Sequence, residues 1–357
     1  MTKLHTISPG RRKTRLRLPV ATWPEADRKA WRAACRPAER LKRGGAAGHI
    51  KPVTREGHER HYGNFLGCLD RNGLLRQEAP AAANVTPENV DVYLAEAKAR
   101  LSSTTVHVSI CCLRRIARYM VPGLELGWLA ELANDLALVA QPHSKFDRFV
   151  LPERLIEGGL TLIQEAEHSE TMTKLAQAIQ VRNALMVAML GFHPIRRKNF
   201  AALEIGRSLV KIRGRWWIVL SAAETKEKRA DERRINELLI PFIDRYLDLH
   251  RPVLVRPGSP PSALWLSSRH GGRMTDKHVA NLIGATTLST VGVRVTPHLF
   301  RTSAASGAAV YGGDNPYLGS AVLHNADPRV TLEHYNRATS LTAAESFRQL
   351  IRQYEKK

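Results

Sequence analysis

The segment from Thr296 to Arg337 carries His298, Arg301, His324 and Tyr335 in that order. A histidine and an arginine three positions apart share one face of a helix, from which both can reach a single anionic group. The arginine presents a planar fork of donors that matches the oxygens of a phosphate. A tyrosine hydroxyl further on becomes a nucleophile once cationic neighbours stabilise its developing negative charge. The spacing alone proves little. His193/Arg196, His270/Arg273 and His334/Arg337 repeat it, and 54 Lys+Arg with 14 His in 357 residues make coincidences expected. Two further basic residues stand upstream: Arg196, at the end of Gly191-Phe192-His193-Pro194-Ile195-Arg196, and Lys226, within the polar run from Glu224 to Arg229.

The elements that must position these residues read in two parts. From Ala21 to about Ala140 the apolar residues recur at helical spacing. Trp23 and Trp31 anchor the start, Thr86-Pro87-Glu88-Asn89 has the form of a helix N-terminus, and Val106, Ile110, Leu113 and Ile116 form the apolar stripe of a helix over 103–120. Arg114, Arg115 and Arg118 fall on the other side of that helix. Gln141 to Lys145 reads as a polar, proline-containing linker. Helices resume near Pro152 and run through Leu190, and Arg196 is expected on a helix. Then the period changes from helical to alternating. Leu209–Ile212 and Trp216–Leu220 flank Arg213-Gly214-Arg215 as a hairpin, and a third strand is expected over Ile235–Pro241, with Lys226 on the turn before it. Helices follow at about 242–250, 275–287, 297–311, 315–323 and 328–335. A last amphipathic helix is expected at 341–354, with Leu341, Phe347, Leu350 and Ile351 on one side.

The formal net charge of +21 points to a polyanionic partner, of which nucleic acid is the commonest. Residues 1–20 include Arg11, Arg12, Lys13, Arg15 and Arg17 with no acidic residue, and read as a basic arm. The 43% hydrophobic content suffices for ordinary cores. The longest apolar run, about 184–195, falls short of the roughly 20 residues of a membrane span, so no membrane association is expected, and the basic N-terminus has no apolar signal region. Cys35, Cys68, Cys111 and Cys112 have no ligand-type spacing and read as free thiols.

Taken together, Arg196, then Lys226 on a turn between strands, then His298 and Arg301 on one helix, then His324 and Tyr335, follow an order that resembles the tyrosine recombinases, or phage integrase family. The resemblance covers about 150–340 and extends more weakly to the helical N-terminal half. It matches the first catalytic arginine to Arg196, seven residues before Leu203, with Arg197 the rival. It matches the lysine to Lys226, with Lys228 the rival. Thr296-Pro297-His298-Leu299-Phe300-Arg301 matches the His-x-x-Arg box, Val322-Leu323-His324 the box before the third-site histidine, and Thr331-Leu332-Glu333-His334-Tyr335 the nucleophile. Tyr311, Tyr317 and Tyr354 are out of order. The chain departs from the pattern at Asn199, where an acidic residue is usual, at Leu323, where a glycine is usual, and in a slightly longer interval from His324 to Tyr335.

The resemblance implies a mainly α protein with a small antiparallel sheet: a basic arm (1–20), a helical core-binding domain (21–140), a linker (141–146), a mixed α+β catalytic domain (147–340) and a tail helix (341–357). It implies a site-specific recombinase that acts on double-stranded DNA through a 3'-phosphotyrosyl intermediate. Arg196 and Arg301 would grip the scissile phosphate, Lys226 would protonate the leaving oxygen, His298 would assist proton transfer, His324 would hydrogen-bond the phosphate, and Tyr335 would attack. No cofactor, ATP or metal is expected. The tail helix would dock on a neighbouring subunit of a homotetramer, alone or with sister recombinases, in a cytoplasmic, nucleoid-associated setting. The other readings are a DNA-binding accessory protein that does not cut, and a relaxing enzyme of the type IB topoisomerase kind.

Overall fold

The computed structural model describes residues 16–141, 146–311 and 318–323. The chain divides between Ser144 and Lys145 into two units. In the first, hydroxyl side chains and prolines start the helices. Thr86 accepts the N–H of Asn89 ahead of Pro87, and Ser102 accepts that of Thr105, which satisfies donors the first helical turn leaves unpaired. The helices are α1 (Glu25–Ala34), α2 (Pro52–Arg71), α3 (Pro87–Arg100), α4 (Ser103–Met120) and α5 (Gly127–Leu138). The expected stripe of α4 is buried in a core shared with Trp31, Tyr62 and Phe65. Asp27 is also fully buried there. It accepts hydrogen bonds from the Tyr62 hydroxyl at 2.8 Å and the Ala82 N–H at 2.7 Å, while burial pushes its carboxyl pKa up.

The described structure begins within the last residues of the expected basic arm. Residues 16–20 lie against α2: the Leu18 N–H donates to the Gly63 carbonyl at 2.9 Å. A Cβ at Gly63 would stand 2.3 Å from the Leu18 oxygen, so this approach requires glycine. Residues 1–15 are outside the described residues.

The second unit contains α6 (Pro152–His168), α7 (Lys174–Phe192), α8 (Arg197–Ala201), β1 (Leu209–Ile212), β2 (Arg215–Leu220) and β3 (Asp231–Arg234). After these come α9 (Ile240–Arg245), α10 (Arg251–Leu254), α11 (Asp276–Val291), α12 (Pro297–Tyr311) and α13 (Leu318–Leu323). A π-helical turn, Tyr246–His250, joins α9 to α10. By length and composition α7 could cross a membrane, but it is a central helix of this core, and burial over most of its surface accounts for its apolar character.

The sheet is antiparallel in the order β1-β2-β3. Arg213 and Gly214, with φ of 49° and 75°, form the two-residue turn that matches the twist of the first hairpin. The third strand does not lie at 235–241 as expected. It is Asp231–Arg234, paired Trp217↔Arg234 through Leu220↔Asp231, and only the Ile235 N–H extends the ladder, to the Trp216 carbonyl. Beyond it, Glu237–Leu239 forms a 3-10 turn and Pro241 sits in the first turn of α9, where its missing N–H costs nothing. The helices expected at 328–335 and 341–354 lie outside the described residues.

Candidate active site

Arg301 is the hub. The first turn of α12 buries Leu299 and Phe300 and leaves His298 exposed, which fixes the face on which Arg301 emerges. Its Nη1 donates to the Pro194 carbonyl at 2.6 Å and its Nη2 to the Leu323 carbonyl at 3.1 Å. Pro194 is two residues before Arg196, and Leu323 immediately precedes His324 in sequence. One guanidinium therefore ties α12 to the segment that carries Arg196 and to the end of α13. Burial, then the charges of Arg196 and Arg233, lower the Arg301 pKa to about 10, against the opposing pull of Asp231 and Glu227. It remains a cation at neutral pH.

Arg196 is not within a helix, as expected, but is the extended N-cap of α8, with φ −65° and ψ 138°. Pro194 and the compact turn centred on it, in which the Ile195 N–H donates to the His193 carbonyl, separate α7 from α8. The α8 segment is held from the core side. The Trp265 indole donates to the Phe200 carbonyl at 2.9 Å, and the Leu264 N–H to the Leu203 carbonyl at 3.0 Å. Arg196 donates Nη2 to Glu227 at 2.6 Å. Arg197, the rival in sequence, is engaged elsewhere, with Asp276 at 2.8 Å.

Glu227 neighbours Lys226 on the β2–β3 turn. Thr225 braces that turn: its hydroxyl donates to the Arg229 carbonyl at 2.7 Å and accepts the Arg229 N–H at 3.1 Å. Lys226 is exposed on this turn. Lys228, its rival, adopts a left-handed φ of 54°. The Arg196–Glu227 pair thus brings the lysine-bearing turn to Arg196, and the acid that pairs with Arg196 comes from this turn rather than from position 199.

His193 is buried beneath the site. Its Nε2 accepts the Asn236 N–H at 3.2 Å, and burial followed by the Arg233 charge lowers its pKa to about 4, so the ring is neutral at pH 7. The structure brings together Arg196, Arg301, the turn that carries Lys226 and the helix that carries His298. His324 and Tyr335 lie outside the described residues. Sequence reasoning missed Glu227, Asp231 and Arg233. For Glu227 the available signal was its adjacency to Lys226; for the other two the acidic-basic run at 231–234 gave none that separates a site from a solvated surface. Among the described residues no group of three metal-ligating side chains converges.

No family model matches the sequence, and no curated protein matches it. Comparison with solved structures finds similarity to the XerH site-specific recombinase in two complexes. The post-cleavage complex with palindromic difH substrate has a TM-score of 0.57 at 12% identity, covering 85% of this chain and 82% of that one. The pre-cleavage complex with difH substrate has a TM-score of 0.55 at 13% identity, covering 84% and 81%. The XerA recombinase aligns over 84% of this chain and 94% of that one at 16% identity, with a TM-score of 0.40. The chain has the tyrosine-recombinase fold.

Proposed function

We propose that the protein is a site-specific DNA recombinase of the tyrosine type. The observation that carries this reading is the double engagement of Arg301. It gathers the segment that carries Arg196, through the Pro194 carbonyl 107 positions away, and the segment that leads to His324 into one cationic cluster beside the Lys226 turn. Such a cluster favours an anion whose oxygens accept from two guanidinium forks. The excess of basic residues suits duplex DNA, and XerH, a protein of the same fold, was captured on its difH substrate before and after cleavage.

In the proposed reaction the Tyr335 oxygen attacks phosphorus, forming the phosphotyrosyl bond as the bond from phosphorus to the 5'-oxygen breaks. Arg196 and Arg301 hold the non-bridging oxygens, His324 donates a hydrogen bond to them, and Lys226 gives its proton to the departing 5'-oxygen. His298 receives the tyrosine proton. The 5'-hydroxyl of a second strand reverses the step, so the phosphodiester energy is conserved and the step needs no ATP. Assembly into a tetramer through the 341–354 segment, and the boundaries of arm, core-binding and catalytic domains, belong to this same proposal.

The test is covalent attachment. Duplexes from a random-sequence pool are selected for denaturant-resistant attachment to the full-length protein, and Tyr335→Phe is compared on them. The expected outcome is loss of attachment with retained binding. Attachment that persists in Tyr335→Phe would refute the assignment, and binding without attachment by the wild type would favour an accessory DNA-binding protein.

A further inference from the structure

Strand β3 turns an arginine inward where a strand ordinarily turns an apolar side chain. Arg233 is 8% exposed, while its neighbours Glu232 and Arg234 are exposed. A guanidinium keeps its charge on burial and therefore requires partners. Those of Arg233 are specific. Its Nε and Nη2 grip the two oxygens of Asp231 at 2.7 and 3.0 Å, and its Nη1 donates to the Val322 carbonyl at 2.9 Å. Arg301 takes the next carbonyl, that of Leu323. Val322 and Leu323 are adjacent in α13, so two arginines from different elements, β3 and α12, hold neighbouring carbonyls of one helix.

Stability alone does not account for this choice. Replacing a buried ion pair by apolar residues of similar volume is often neutral or stabilising. What an apolar residue cannot do is hold a carbonyl in a fixed place. With all three of its nitrogens engaged by Asp231 and Val322, Arg233 is directed at the backbone. We infer that Arg233, oriented by Asp231, is a positioning residue of the phosphate site: together with Arg301 it fixes the end of α13, from which the chain passes directly into His324. The inference rests on the reading of the site as a phosphodiester-cleaving centre. Lysine cannot substitute, because one ammonium on a flexible stem cannot span the Asp231 carboxylate and the Val322 carbonyl with the same fixed geometry.

The experiment uses the full-length protein and duplexes selected for attachment to the wild type. Arg233→Lys, with and without His324→Ala, is compared for DNA affinity, thermal midpoint and attachment rate at saturating DNA. The expected result is affinity within a few-fold of wild type and attachment slowed on the order of 100-fold, the cost of about 1 Å of misplacement. Adding His324→Ala to Arg233→Lys should cost little more, whereas on the wild type it should cost heavily. If Arg233→Lys does not fold, Arg233→Gln combined with Asp231→Asn removes both charges of the pair together and serves for the same comparison. A folded variant that attaches at the wild-type rate overturns the inference, and so do losses that multiply independently. Absence of attachment by the wild type overturns the phosphodiester reading itself, and the inference falls with it.

Discussion

Substituting Glu227 by glutamine should strengthen DNA binding at the candidate site. The Glu227 carboxylate stands 2.6 Å from Nη2 of Arg196, with the side chains 28% and 29% exposed. A phosphate oxygen that takes the N–H now donated to Glu227 must displace the carboxylate, because both compete for the same donor. In a medium of effective dielectric near 20, two unit charges about 4 Å apart interact by roughly 4 kcal/mol. Partial exposure and salt reduce this strongly, and exposed ion pairs measure about 0–1 kcal/mol. An intermediate value of about 1 kcal/mol remains, so Glu227→Gln should tighten binding roughly fivefold, since every 1.4 kcal/mol is tenfold. Glutamine keeps the shape and a neutral hydrogen bond while removing the charge.

The assay is fluorescence anisotropy on a short selected duplex, in a Tyr335→Phe background that prevents attachment, at low and high salt. The gain should shrink as salt rises, because the competing pair is partly screened. Removing one negative charge also raises the general attraction to DNA, so the comparison is repeated with Arg196→Gln. The gain should vanish there, because the carboxylate no longer masks a donor. An unchanged or weakened affinity, or a gain that survives loss of Arg196, would refute the reasoning.

His193 predicts acid sensitivity. Its folded pKa of about 4 lies below the ordinary 6.5, so the stability it contributes is present above 6.5 and is lost as the pH falls towards 4, a loss on the order of 3 kcal/mol. Urea midpoints measured across that window should fall with pH for the wild type, and His193→Gln should flatten the dependence. Deleting residues 1–15, which stops short of the segment packed on α2, should reduce the slope of log affinity against log salt by about 0.9 for each phosphate the arm neutralises. An unchanged slope would mean that the arm makes no phosphate contact.

Legibility in the sequence followed local physics. The first hairpin was readable because its apolar alternation flanks Arg213-Gly214, whose backbone demands are local. The start of α3 was readable because Thr86 and Pro87 act within one turn. The third strand was not, because its only buried position is an arginine. Asp-Glu-Arg-Arg has no apolar alternation, while the adjoining Ile235–Pro241 run imitates one. The expectation of a helix at Arg196 fails because Pro194 and the turn at His193 leave it extended. Arg196 and Arg301 were found as types in order. Their partners Glu227, Pro194 and Leu323 were not, since nothing local announces which carbonyl or carboxylate a guanidinium will meet. The misread strand carries the third arginine of the cluster, in keeping with the tendency of local rules to fail where a site demands something else.

The charges of this cluster bear on the proposed reaction. The charges of Arg196 and Arg233 act on Arg301, and those of Asp231 and Glu227 oppose them, so these five groups together carry one net positive charge. Asp231 is bound to Arg233 through both oxygens, so displacing it would break two hydrogen bonds. Glu227 sits on a turn and holds Arg196 through one nitrogen, so it is the carboxylate that can leave. Once it leaves, the arginines present two net positive charges. A phosphodiester carries one negative charge, and attack by a tyrosinate brings a second to the transition state. In the proposed reaction these groups without Glu227 would favour the more negative transition state over the bound substrate, and such a difference, not tight binding, lowers a barrier. Arg301 is held by the Pro194 and Leu323 carbonyls before any phosphate binds. The cations are thus held in place before the anion develops, which is the condition for electrostatic stabilisation without reorganisation.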